Sequence, residues 1–105
     1  MTKPLRLDEE AEKELAFADS WYEARRPGLG GDFVAAVRTA SQRIARRPKQ
    51  YRLVPGVSRS LSVRRCLLRR FPYALVFVEL EHEIRVLAVA HLHRRPGYWR
   101  GRLKP

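Results

Sequence analysis

The spacing of apolar residues along this chain changes twice. It alternates at the start, recurs at three and four through the middle, and returns to near-alternation in the last third, so it predicts strand, helices, then strands. Leu5-Arg6-Leu7 alternates about a charge and predicts a short edge or flanking strand. Asp8 follows as a helix N-cap candidate, with Glu9 and Glu10 in the first turn, where the helix dipole favours negative charge. Ala11, Leu15, Ala18 and Tyr22 then form one helical stripe, and Leu15, Trp21 and Tyr22 supply its bulk as core residues. Arg25-Arg26 and Pro27-Gly28 end that helix. A second begins between residues 29 and 32 and buries Phe33, Val37, Ala40 and Ile44. Arg46-Arg47-Pro48 stop it. The short connection predicts an antiparallel helical hairpin.

Residues 49–60 read as a loop with no periodicity. Three strands follow, at 61–70, 73–80 and 84–91, with Glu81-His82-Glu83 as the second turn, which predicts an antiparallel meander. In the middle strand Ala74, Val76 and Val78 share one side, and Tyr73, Leu75, Phe77 and Glu79 the other. In the last, Ile84, Val86, Ala88 and Ala90 are expected on one face, and Leu87 and Val89 between Arg85 and His91 on the other. A strand apolar on both sides is usually central and covered on two faces. The fold class expected is α+β: an N-terminal strand, a helical hairpin and a three-stranded meander with the helices on one sheet face. The 105 residues allow one domain with a single core, and 92–105 form a basic tail.

Charge sharpens the picture. The net charge is +11, but residues 1–32 hold eight acids and five bases, whereas residues 33–105 hold three acids and seventeen bases. Such a pole attracts a polyanion or an acidic protein, and the dominance of arginine favours phosphate or carboxylate recognised by a guanidinium fork. An arginine-rich soluble protein with no such partner is the plainer alternative. The single cysteine, Cys66, and the lack of any long apolar stretch lead to the expectation of a reducing cytoplasm, with no signal peptide and no membrane partner.

Several pieces, in order, carry a resemblance. They are Trp21-Tyr22, Pro27-Gly28-Leu29-Gly30 and Phe33, Ile44 with Pro48, Val63-Arg64-Arg65, Phe71-Pro72-Tyr73, and the run from Val86 to Arg102 with His91, Arg94-Arg95 and Trp99-Arg100. Over nearly its whole length the chain resembles the RelE/ParE superfamily of toxins from type II toxin–antitoxin systems, also labelled plasmid stabilisation proteins. The resemblance implies the strand, hairpin and meander layout, and a small basic toxin wrapped by an acidic antitoxin in a hetero-oligomer. RelE-like members cut messenger RNA on the ribosome. ParE-like members inhibit DNA gyrase and lack the nuclease residues. The Phe-Pro-Tyr segment and the His-x-x-Arg-Arg-Pro-x-x-Trp run look closer to the ParE-like branch.

Metal-free RNA cleavage needs a base for the 2′-hydroxyl, cations for the phosphorane and an acid for the leaving oxygen. The resemblance implies lysines or arginines on the meander, with a glutamate or histidine and a C-terminal tyrosine. Lysine is absent from all three predicted meander strands. Arg65 and Arg69 are expected on one strand face as a phosphate clamp, His91 can exchange protons near neutrality, Glu79 can act as base, and Tyr98 can stack or donate a proton. Arg64, Arg65, Arg94, Arg95, Trp99 and Arg100 are the candidates for binding a target or phosphate. Each has a structural reading: arginines as ion-pair partners of an antitoxin, His91 and Arg94 tying the tail to the sheet, Glu79 paired with a meander arginine, Tyr98 and Trp99 packing the tail. No metal or cofactor is expected. His91-x-His93 has no matching third ligand, and Gly28-x-Gly30-Gly31 lacks the strand and Lys-Ser/Thr of a phosphate loop. Cys66 between arginines is either an activated thiol or a small buried hydrophobe. The leading expectation is a ParE-like toxin acting on gyrase or a similar target by binding. The alternatives are a ribosome-dependent messenger RNA endonuclease built on Arg65, Arg69, His91 and Tyr98, and an inactive regulatory homologue.

Overall fold

The computed structural model describes residues 2–57 and 61–103. Among them, β1 is Leu5–Leu7, α1 Glu9–Arg25, α2 Leu29–Arg46, β2 Arg52–Leu53, β3 Val63–Leu67, β4 Tyr73–Glu79 and β5 Ile84–His91, with 3₁₀ turns at Pro48–Gln50 and Arg100–Leu103. The strands form one sheet in the order β1-β5-β4-β3-β2. β1 runs parallel to β5 at one margin, and β2 to β5 are successive antiparallel neighbours. The α+β class and the order of its main elements are those expected from the sequence.

Both predicted helical stripes face the sheet. Phe33, Val37, Ala40 and Ile44 are buried on α2, and Ala11 and Ala18 on α1, with Leu15 and Tyr22 packed partly buried beside them. Small residues on α1 let the helices approach closely, and Gly30 is where α2 comes nearest. A Cβ there would lie 2.6 Å from the Asp19 carbonyl oxygen. The same crossing caps α2: Glu23 accepts hydrogen bonds from the Gly28 and Gly30 N–H groups at 2.9 and 3.0 Å. This carboxylate at the helix N-terminus satisfies donors that have no partner inside the helix. Gly28, at φ +90°, makes the turn between the helices.

The sheet has an apolar layer on each face. Phe33, Ile44, Leu75, Phe77, Ile84, Val86 and Val89 fill the space under the helices. Val63, Val76, Val78, Leu87, Ala88, Ala90 and Trp99 form the second layer, against which Tyr98, Leu103, Val54 and Val57 pack. β5 is therefore covered on both faces, as its composition predicted, and Val86 through Ala90 are buried.

Four expectations are corrected. β5 does not alternate strictly. Val76 pairs with Ala88 and Phe77 with Val86, so Leu87 is an extra residue in a β-bulge. Leu87 and Ala88 both join the second layer, and Val89 passes to the helix side with Ile84 and Val86. The predicted 61–70 strand is shorter, Val63–Leu67. The loop predicted over 49–60 contains a 3₁₀ turn and the two-residue β2, which extends the meander to four strands; its residues 58–60 lie outside the described residues, as do 104–105 of the tail. Trp21 is not core but 45% exposed.

Gly30→Ala forces the helices apart at Asp19 and should cost about 1–3 kcal/mol, the usual range for overpacking. Thermal unfolding followed by circular dichroism checks this, with Gly31→Ala, where a Cβ meets nothing within 4 Å, as the neutral control.

Candidate functional site

β1 ends at Leu7, so β5 continues beyond its partner with one edge uncovered. The first group past that point, the Val86 carbonyl, accepts from the Asp8 N–H at 2.9 Å. Side chains then take over. Glu14, from α1, accepts the Val89 N–H at 3.0 Å, and Arg102, from the C-terminal turn, donates to the Leu87 carbonyl at 3.0 Å. The two are also joined to each other, Arg102 Nη1 and Nη2 reaching the Glu14 carboxylate at 2.9 and 3.0 Å. Tyr98 completes the network by donating its hydroxyl to Glu14 Oε2 at 2.6 Å. Buried edge groups in a sheet need partners, and here a carboxylate and a guanidinium act as a surrogate strand.

A second clasp lies at the start of α1. Asp8 stands at the N-cap position of α1 but makes no capping hydrogen bond with its side chain. Its carboxylate is held by Arg85 at 2.9 and 2.6 Å, and by Arg6 at 3.2 Å. The hydrogen bond from Arg85 is the main cause holding the Asp8 carboxyl below the usual aspartate value. Arg85 also reaches the Arg102 carbonyl at 3.3 Å, linking both clasps to the tail.

Between α1 and the β4–β5 pair lies an open groove of about 880 Å³, in which Phe17, Trp21, Tyr22, Tyr73 and Val89 supply apolar surface, Lys13, His91, Arg94 and Arg102 supply polar or basic groups, and Glu10 and Glu14 are acidic. Phe17 is 72% exposed and Trp21 carries Arg25 at 4.0 Å over its ring. An exposed aromatic pair four residues apart on one helix is the kind of anchor that interfaces use. Sequence reasoning passed over Phe17, although its place off the Ala11 to Tyr22 stripe marks it as outward-facing.

The predicted nuclease residues are only partly brought together. Arg65 and Tyr98 line one cleft of about 270 Å³ with His91, Arg94, Arg95 and Arg100. Arg69 is elsewhere. β3 ends at Leu67, so alternation does not carry to Arg69, which lies with Asp32 and Arg43 beside α2. Glu79 pairs with Lys3 at 3.0 Å, not with a meander arginine, and opposes Ile84 at the far end of β5 from His91. At ~3.3 Å per residue the seven intervening steps place these two groups roughly 20 Å apart. Burial, reinforced by the Glu14 hydrogen bond, pushes the Tyr98 phenol far above the usual tyrosine value, so it is a poor proton donor. His91 ends its strand; its Nδ1 accepts the His93 N–H at 3.0 Å, and its ring sits edge-on to Tyr73.

The binding candidates divide in the same way. Trp99 is 4% exposed and belongs to the second apolar layer, and Arg64 is tied to the Tyr51 and Lys49 carbonyls at 2.7 and 3.4 Å. Arg65, Arg94, Arg95 and Arg100 are exposed, with Arg94 stacked over Tyr98 at 4.0 Å. Cys66 is buried, and burial raises its thiol pKa. Among the described residues no three histidine, cysteine or acidic side chains converge as a metal set, and no helix is long and apolar enough to cross a membrane.

Burial is the largest cause pushing the phenols of all four tyrosines, Tyr22, Tyr51, Tyr73 and Tyr98, above the usual tyrosine value. A phenol raised on folding adds stability that is complete below the unfolded value of about 10 and is lost as pH climbs above it toward the folded value. Absorbance at 295 nm should therefore stay flat past pH 10 in the native chain and rise near 10 in denaturant. Tyr98→Phe should remove the largest share of the alkaline loss of stability.

No protein-family model and no curated protein matches the sequence. Among solved structures, a chain described as "Chromosomal ParDE TA system from P. aeruginosa" superposes with a TM-score of 0.73 at 18% identity, over 88% of this chain and 98% of that one. The two share a fold: the α+β arrangement that the RelE/ParE resemblance implied, with a helical hairpin on one face of a mixed sheet.

Proposed function

We propose that this chain is the toxin component of a type II toxin–antitoxin system, of the ParE-like kind that disables a cytoplasmic target such as DNA gyrase by binding it. The observation that carries this reading is the open apolar groove on α1, with Phe17 and Trp21 presented to solvent, in a chain sharing its fold with one from a ParDE TA system. Large exposed aromatics are costly to leave in water and mark interaction surfaces. Lys13 and Arg102 are paired with Glu10 and Glu14 of the same lining. Arg94, with no carboxylate at ion-pair distance among the described residues, is the cation that suits an acidic residue of an amphipathic antitoxin helix laid along the groove.

Binding rather than catalysis is favoured by the dispersal of the nuclease candidates. General acid–base chemistry is first a matter of geometry. Glu79 and Arg69 stand away from His91, and Tyr98 is committed to Glu14. An endonuclease reading would have to rest on Arg65 and His91 alone.

Purified chain in excess should inhibit gyrase supercoiling of relaxed plasmid, while His91→Ala and Arg65→Ala keep that inhibition and no ribosome-dependent cleavage of messenger RNA is seen. Unchanged supercoiling refutes the gyrase target, and messenger RNA cleavage lost with His91 turns the reading to a nuclease. The product of the adjoining reading frame should form a stable complex with the chain and relieve its toxicity. Phe17→Ala and Trp21→Ala should each weaken that complex about 30-fold in calorimetric titration, the effect of losing a hot spot of ~2 kcal/mol.

A further inference from the structure

We propose that the β2 margin of the molecule is a second binding surface, shaped for the phosphodiester backbone of nucleic acid and separate from the groove on α1. The surface starts where α2 ends. Arg43, Arg46 and Arg47 surround, with Gln50 and Tyr51, a cavity of about 600 Å³ at the helix C-terminus. The helix dipole stabilises cations there. On the other face of the same margin, Arg52 of β2 and Arg65 of β3 are direct cross-strand partners, and Arg65 lines the cleft that holds Val76 and Trp99. Direct partners in an antiparallel pair point to the same face, and like charges so placed repel.

Nothing among the described residues neutralises these arginines. Among the described residues, none of Arg43, Arg46, Arg47, Arg52 and Arg65 has a carboxylate within ion-pair distance. Asp32 of α2 and Glu79 of β4 are occupied elsewhere, with Arg70 and with Lys3. The backbone beneath is fixed, since Arg64 bridges the carbonyls of Lys49 and Tyr51 and ties the turn after α2 to β3. Charge on an edge strand also guards against strand-to-strand aggregation. One arginine on β2 would meet that need, and it does not account for three more at the end of α2.

The chemistry of these arginines favours phosphate over an acidic protein. A protein interface is organised around an apolar centre, and the groove on α1 has one. The cavity at the end of α2 offers no aliphatic side chain, only guanidinium groups, an amide and the ring of Tyr51. Guanidinium forks bind phosphate oxygens in pairs. Cations strung along a margin, not converging on one point, match a polymer of phosphates.

Fluorescence anisotropy on the full chain tests this, with labelled single-stranded RNA and duplex DNA of arbitrary sequence titrated across a salt series. Binding should weaken steeply with salt, because each phosphate contact contributes about 0.9 to the log–log slope on duplex and about 0.7 on single strands. The double variant Arg46→Gln/Arg47→Gln should flatten the slope by about two contacts and weaken binding at least tenfold at low salt. Arg6→Gln/Arg26→Gln removes the same charge from β1 and the hairpin turn, and should leave the slope unchanged. Circular dichroism confirms that both variants fold. No binding at low salt overturns the proposal, as does an equal loss in the two variants, which would show only bulk attraction. Competition by polyglutamate as effective as by unlabelled RNA also overturns it, in favour of an acidic protein partner.

Discussion

The structure depends on how the free edge of β5 is satisfied. β5 is the most buried element of the sheet, and its parallel partner covers only Ile84 to Val86. Beyond that point an N–H and a carbonyl would be left facing apolar surroundings, at a cost of about 1–3 kcal/mol each. Glu14 and Arg102 meet them, and each is itself neutralised by the other. An ion pair in such a place adds less to stability than its Coulomb attraction suggests, because both ions lose water. Its use is positional. It fixes α1 and the C-terminal turn to the same two residues of one strand, and neither can move without exposing the other's partner.

Much of the molecule's surface chemistry follows from that constraint. With α1 held at Val89, the groove floor is set and Phe17 and Trp21 line it exposed to solvent. With Arg102 held, the tail crosses the face of the sheet opposite the helices, which buries Trp99 against Leu87 and Ala88. The bulge at Leu87 contributes to this arrangement. It delivers two consecutive side chains to the tail's side, so the second apolar layer exists without a second pair of helices. The remaining arginines of the tail then stay in solvent beside Arg65.

What the sequence discloses about this fold is its periodic part. The stripes on α1 and α2, the faces of β4 and the central place of β5 all depend on burial over many residues, which leaves a pattern. What it hides depends on single contacts. Glu14 sits among Glu9, Glu10 and Glu12, and nothing in that run distinguishes the one that meets a strand edge from those left in solvent. Asp8 has the residue type and position of a cap, but an arginine 77 residues away takes its carboxylate. β2 is two residues long and exists only through its pairing with β3. For the site, the cationic rim was visible as composition. Which arginines face outward was not, since Arg64, Arg85 and Arg102 are hydrogen-bonded by the protein itself while Arg65 and Arg95 are exposed and Arg94 is exposed on one side of the Tyr98 ring.

A shared fold at 18% identity follows from the same division. Cores accept extensive exchange of apolar residues so long as pattern and volume are kept, so a superposition of this quality reports the stripes and not the side chains that meet a target. Function has to be argued from the exposed groups. Here they fall into two sets of different chemistry. The apolar groove lies on the α1 side of the sheet, over Val89, and the unpaired arginines of α2 and β2 lie toward the opposite margin. A partner seated on Phe17 and Trp21 would therefore leave Arg43, Arg46 and Arg47 open. The groove and the cleft beside Arg65 share His91 and Arg94 among their lining residues. Arg94 in turn stacks over Tyr98, whose hydroxyl is bound to the Glu14–Arg102 pair, so the link between groove and cleft rests on the same network that satisfies the edge of β5.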